Sequence, residues 1–175
     1  DECARMIQKL KSCDQRTVLG TAVSGADGML EASGGWIDPG LQFRRRRVGN
    51  QLIKGKEIEA AVVEVDWLSG CSLVLKPEAH RPAARFDLAF PLYYEDIDLC
   101  LRLKALGAQV LWWPQLLIDH QKGSGSQVPS SRRLKLSTIS YLRFIQRYCP
   151  KWVQLLRISR LIINALLRMP LQPKR

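Results

Sequence analysis

The sequence predicts a mixed α/β domain followed by two basic amphipathic helices. Three observations carry this reading. Short β-branched or apolar runs near 18–23, 62–75 and 110–118 alternate with segments whose apolar residues recur at helical spacing. Clusters of Gly, Pro, Asp and Ser punctuate the runs. After Pro129 the helical period continues without one acidic residue. At 175 residues and 46% hydrophobic composition the chain fits one domain of ordinary size, able to bury a core without disulfides or a structural metal.

Taken in order, Met6, Ile7 and Leu10 place apolar residues at helical spacing over 3–11, and Ser12 to Asp14 end that helix. Val18 to Val23 reads as a strand running into a Gly25-Ala26-Asp27-Gly28 turn. Ser33 to Lys56 is Gly-rich, contains Asp38-Pro39-Gly40 and the Arg44 to Arg47 charge run, and lacks sustained periodicity, so a long loop is expected. Val62 to Leu75 is strand-like on both sides of a Trp67-Leu68-Ser69-Gly70 corner, and Lys76-Pro77-Glu78 opens a short helix.

A second helix starts near Glu95, runs through Leu99, Leu103 and Leu106, and stops at Gly107, a residue suited to a left-handed C-cap. Val110 to Trp113 and Leu116 to Ile118 form strand-like runs broken at Pro114 and lead to Asp119-His120. Gly123 to Ser126 reads as a linker. Helices over 136–148 and 152–169 follow, separated by Pro150, which cannot continue a helix interior. In the last, Arg157, Arg160, Asn164 and Arg168 line one polar stripe on an apolar rod.

The net charge of +11 is unevenly spread: residues 131–175 hold 11 Lys/Arg and no acid, leaving 16 basic and 16 acidic residues before them. The basicity belongs to the tail. Tyr141, Phe144, Tyr148 and Trp152 interleave with it, but no recognition signature accompanies them, which weighs against nucleic acid. A cationic stripe with a broad apolar face instead suits the plane of an anionic membrane, or packing against the domain or a second subunit. Cys3, Cys13, Cys71, Cys100 and Cys149 form no Cys-x-x-Cys pair, and an odd count suits a reducing compartment. No stretch of 18 uncharged apolar residues occurs and the N-terminus lacks a secretory layout, so neither spanning nor export is expected.

Four pieces stand in a telling order: Val65-Asp66-Trp67-Leu68-Ser69-Gly70-Cys71, Phe86-Asp87, Tyr94-Glu95-Asp96-Ile97-Asp98-Leu99-Cys100-Leu101-Arg102, and Pro114 with His120. Together they resemble glycosyltransferase family 2, in particular its rhamnosyltransferase-like members of GT-A fold, over about residues 24–126. The resemblance implies an inverting enzyme that moves a sugar from a nucleotide-sugar donor to a glycan or lipid-linked acceptor. It also implies a nucleotide-binding half ending in an Asp-x-Asp metal motif, and none precedes the matched region here. The expectation is therefore a partial GT-A domain: the acceptor-side half over 1–128, a basic helical tail over 129–175, and a missing half supplied from elsewhere. A divalent cation, Mg²⁺ or Mn²⁺, would need ligands from that half.

An inverting transfer requires a carboxylate that takes the acceptor hydroxyl proton. By resemblance Asp96 is that base, at a helix N-terminus that favours negative charge; the alternative is a capping acid. Glu95 holds the acceptor or orients the site. Asp98 and Arg102 read as a structural i, i+4 pair, of about 0.3–0.5 kcal/mol. The resemblance makes His120 a third metal ligand, against the alternative of an exposed loop histidine. Trp67, Ser69 and Gly70 form a substrate floor, with Trp67 as a core anchor and Gly70 as a bulge residue the competing roles. Trp112 and Trp113 read as packing residues. Arg44 to Arg47 read as a solvated charge run, with contact to a pyrophosphate or anionic lipid the other option. The setting implied is cytoplasmic, at the inner face of the cell membrane. The runner-up is a non-catalytic truncated remnant acting as a peripheral membrane or assembly protein.

Overall fold

The computed structural model describes residues 1–25, 30–31, 33–38, 44–47, 61–120 and 129–167, without the side chains of Asp38, Arg44 to Arg47 and Leu166. The expected turn at 26–28, the linker at 123–126 and the helix end at 168–169 lie outside the described residues. The elements are α1 (Glu2–Ser12), β1 (Thr17–Ser24), β2 (Gly34–Asp38), β3 (Arg44–Arg47), β4 (Val63–Glu64), β5 (Trp67–Leu68), β6 (Leu73–Leu75), a 3-10 turn (Pro77–His80), α2 (Glu95–Ala105), β7 (Gln109–Asp119), α3 (Ser130–Tyr148) and α4 (Lys151–Leu167). The fold is mixed α/β.

The main sheet has the order β4-β7-β1-β6, with β1 and β7 parallel and the outer strands antiparallel to them. Every residue of β1 is buried, as befits a central strand covered on both faces. Along β7 the side chains alternate: Val110 and Trp112 enter one core, while Trp113 and Leu116 enter another with Leu19, Met6 and Leu10. β7 also runs through Pro114, where the sequence reading expected a break. The register with β1 jumps from Thr21↔Trp113 to Ala22↔Leu117, so residues 114–116 form a bulge. A bulge accommodates a residue with no N–H to give. Beyond it Leu117 and Ala22 rejoin the first core, so the two faces keep their partners.

The Gly-rich segment differs from its expected loop. β2 pairs antiparallel with β3, from Gly35↔Arg47 to Asp38↔Arg44, and with β5 on its other side. The pairing uses backbone groups, so no apolar alternation in Arg44 to Arg47 was needed to specify it. The Val62–Leu75 run is divided between sheets: β4 and β6 edge the main sheet, and β5 joins the second. Asp66 ties the pieces together, accepting from Ile37 N–H at 2.8 Å and from Lys104 Nζ at 2.7 Å.

α1 is capped by Asp1, whose side chain accepts from Cys3 N–H at 2.8 Å, and it lays Met6 and Leu10 on the sheet. α2 covers the opposite face through Ile97, Leu99, Cys100 and Leu103. It ends where Gly107 takes φ +86°, the left-handed value that favours glycine. The tail is not a separate body. Phe144 and Ile145 of α3, Cys149 at its C-terminal end and Val153 of α4 belong to the same core as α2. α3 also begins at Ser130, six residues before its expected start.

α4 meets α3 through its first turns. Val153 is buried and Arg157 donates to the Tyr141 hydroxyl at 3.2 Å, whereas Arg160 and Asn164 are exposed. The apolar side points outward: Leu155 is 68% exposed, Leu156 59%, Ile162 54% and Ile163 54%. Among the described residues no helix is long and apolar enough to cross a membrane.

Candidate functional site

The segment leading into α2 is bent by two consecutive non-glycine residues in the left-handed region, Tyr93 at φ 63° and Tyr94 at φ 69°. Each such residue costs on the order of 1–3 kcal/mol unless its surroundings hold it. α3 provides the hold. The Tyr94 ring lies 4.9 Å from Phe144 and 6.0 Å from Tyr141, and Leu92 N–H donates to Ser140 Oγ at 3.2 Å. This turn sets Glu95 and Asp96 at the start of α2, where unpaired backbone N–H groups favour carboxylates.

Asp96 is half-buried and held from two sides. Its Oδ2 accepts from Gly70 N–H at 3.0 Å and its Oδ1 from Ile97 N–H at 2.8 Å. The Ser69-Gly70-Cys71 corner after β5 is itself fixed, with Ser69 N–H donating to Ser33 O at 2.9 Å and Ser72 N–H to Ser69 O at 3.1 Å. Gly70 and Cys71 are exposed. A Cβ on Gly70 would sit at ordinary contact distance, 3.6 Å from Asp96 Cβ, so packing against the acid is close but not exclusive.

Glu95 is half-buried and its Oε2 has no hydrogen-bond partner among the described residues. Burial pushes its carboxyl above the ordinary glutamate range; its own backbone N–H opposes this, and the neighbouring Asp96 charge adds to it.

His120 follows β7, and its N–H donates to Ser24 O at 2.8 Å. Its Nδ1 lies 3.1 Å from Glu31 Oε2 and its Nε2 3.8 Å from Cys71 Sγ. Cys71 adjoins Gly70, so the two parts of the sequence expectation, Asp96 and His120, meet across one two-residue corner. Both ring nitrogens of His120 face other side chains, and among the described residues no group of three or more His, Cys, Asp and Glu is arranged to hold a metal ion. These residues do not by themselves form a holder for Mg²⁺ or Mn²⁺, which prefer six oxygen ligands.

Of the expected substrate floor, Ser69 and Gly70 lie at the surface beside Asp96, whereas Trp67 is 4% exposed and packs in the core. Its part is that of the core anchor supporting the corner. Trp112 and Trp113 are packing residues as expected, with Trp112 Nε1 donating to Thr21 O at 3.1 Å and to Ser33 Oγ at 3.0 Å. The Arg44 to Arg47 side chains lie outside the described residues.

Asp98 is far more than one half of a surface pair. Its side chain is fully buried and accepts from Arg102 Nε at 2.7 Å, Arg147 Nη1 at 2.6 Å and the Tyr148 hydroxyl at 2.6 Å. Arg147 also donates to Asp87 at 2.8 Å, and Arg102 donates to the carbonyls of Ala83 and Arg85. Backbone donation from Ala89 and the Arg147 guanidinium hold the Asp87 carboxyl below its ordinary range. The network locks α3 to α2 two residues beyond Asp96. No known protein family matches the chain, and no curated protein matches it in sequence.

Proposed function

We propose that this chain is the acceptor-side half of an inverting GT-A glycosyltransferase of the family 2 type, which moves a sugar from a nucleotide-sugar donor to a glycan or lipid-linked acceptor. The observation that carries the reading is the 3.0 Å bond from Gly70 N–H to Asp96 Oδ2. It joins, at an exposed corner, the two most specific pieces of the resemblance, which stand 26 residues apart in sequence.

In the proposed reaction the acceptor hydroxyl loses its proton to Asp96 as its oxygen attacks the anomeric carbon. The bond to the nucleoside diphosphate breaks on the opposite face. Gly70 and Ile97 N–H fix the carboxylate so that it need not reorganise as the proton arrives. Glu95, whose Oε2 has no hydrogen-bond partner among the described residues, positions the acceptor. Nucleoside diphosphate release from a panel of nucleotide-sugars, with lipid-linked and glycan acceptors, tests the proposal. Asp96→Asn lowers the rate by at least about a hundredfold if Asp96 is the base. An equal rate in the variant removes it from that role.

One observation favours the second reading, a peripheral membrane or assembly protein without catalysis: α4 turns its apolar side to solvent. An anionic membrane is the occupant that matches both that side and the acid-free 131–175 segment. The two readings are compatible, since a lipid-linked acceptor lies at such a surface, and both place the chain at the inner face of the cell membrane.

A further inference from the structure

Three side chains from distant segments line up beside the Asp96 corner without taking part in the proposed transfer. Glu31 N–H donates to Val23 O at 2.7 Å and His120 N–H to Ser24 O at 2.8 Å, so successive carbonyls at the end of β1 pin both backbones. Cys71 is set opposite by the Ser69 turn, its N–H donating to Ser69 Oγ at 3.3 Å. Glu31 Oε2 then faces His120 Nδ1 at 3.1 Å, and His120 Nε2 faces the Cys71 sulfur at 3.8 Å. The glutamate side chain is only 16% exposed, the imidazole is 38% exposed, and the cysteine stands at the surface.

A carboxylate on Nδ1 fixes the imidazole tautomer that carries its proton there and leaves the Nε2 lone pair directed at the thiol. Nucleophile, base and orienting acid in series is the arrangement that activates a thiol.

We propose that Cys71, His120 and Glu31 form a thiol nucleophile site that undergoes exchange with small disulfides. The Cys71 sulfur attacks one sulfur of the disulfide, passing its proton to His120 Nε2. A new S–S bond forms, the old one breaks, and the departing thiolate takes the proton back from the imidazole. The net products are a mixed disulfide on Cys71 and one free thiol. The adduct stands one residue from Gly70, whose N–H holds Asp96. This inference does not rest on the sugar-transfer reading.

The molecule supplies its own references. Cys3 is exposed too, on α1, while Cys100 and Cys149 are buried. Burial pushes the Cys100 thiol up to about 12, so it stays inert in the folded state. The test treats the folded chain with bis(2-hydroxyethyl) disulfide and, separately, iodoacetamide. Both are uncharged, so the chain's net charge does not favour them. Peptide mass spectrometry follows each cysteine in time. Cys71 is expected to react at least about tenfold faster than Cys3, the scale of assistance from one positioned base. His120→Asn should bring Cys71 to within about threefold of Cys3, and Glu31→Gln to an intermediate rate. Protection of Cys100 and Cys149 in the same digests reports that each variant is folded. If His120→Asn exposes them, Glu31→Gln decides alone. Equal rates at Cys71 and Cys3 in the unaltered chain, or a fast Cys71 that survives the folded variants, overturns the proposal.

Discussion

Asp98→Ala removes the buried carboxylate on which Arg102, Arg147 and Tyr148 converge, and its cost follows from what those donors retain. Truncating one partner of a buried ion pair costs about 3–5 kcal/mol when the other is left stranded. Here the two arginines are not stranded. Arg102 keeps the Ala83 and Arg85 carbonyls, Arg147 keeps Asp87, and their side chains are 26% and 34% exposed, so water reaches both. The lower end applies, about 3 kcal/mol, equivalent to a Tm fall of roughly 6–12 °C for a chain of this size. Arg147→Ala should cost less, about 1–2 kcal/mol, because Asp98 keeps Arg102 and Tyr148. Urea unfolding followed through the buried Trp67, Trp112 and Trp113 measures both. A loss of only about 0.5 kcal/mol for Asp98→Ala, the size of an exposed i, i+4 pair, would refute the buried lock between α2 and α3.

Further outcomes follow from the packing, the raised carboxyl and the outward face of α4. Gly20→Ala places a Cβ 2.6 Å from Leu68 Cδ2 and 2.9 Å from Ser72 O, so a loss of about 1–3 kcal/mol is expected in the same assay; no loss would mean the strand has room to move. Because the folded Glu95 carboxyl is raised, the native state binds the extra proton, and stability falls as pH rises from the ordinary value of 4.5 through the folded one. Glu95→Gln should lack that decline, and parallel stability curves for the two chains would contradict the assignment. Replacing Leu155, Ile162 and Ile163 with Glu should abolish co-sedimentation with vesicles rich in anionic phospholipid while leaving Phe144, Ile145 and Val153 in the core; unchanged binding would remove α4 from the membrane.

The helices were legible because their periodicity is local. α2 and its Gly107 stop stand where apolar spacing and a left-handed residue put them. The start of α3 was hidden by the Arg132-Arg133-Leu134-Lys135 stretch, whose side chains face water and carry no core signal. The β2–β3 pairing was illegible because backbone groups make it, and Arg44 to Arg47 give no alternation. Spacing also gave α4 two faces without saying which one meets the domain. Val153 and the Arg157–Tyr141 bond decide that, and they depend on how α3 docks.

The site shows the same division. The sequence offered Asp96, Gly70 and His120 as parts, and the corner at Gly70–Cys71 brings them together. Asp98 looked like a surface acid because its only partner within a helical turn is Arg102. Its other donors, Arg147 and Tyr148, stand 49 and 50 residues away. Glu31 carried no motif and Cys71 only closed the Val65–Cys71 piece, and their links to His120 span 89 and 49 residues.

The most direct test of the central claim is the anomeric configuration of the product, read by proton NMR during transfer by the unaltered chain and by Asp96→Asn, each combined with the nucleotide-binding half that the reading requires. Direct displacement with Asp96 as base yields the inverted anomer from the unaltered chain and a rate at least about a hundredfold lower from the variant. A product of retained configuration, or an equal rate from Asp96→Asn, would contradict it.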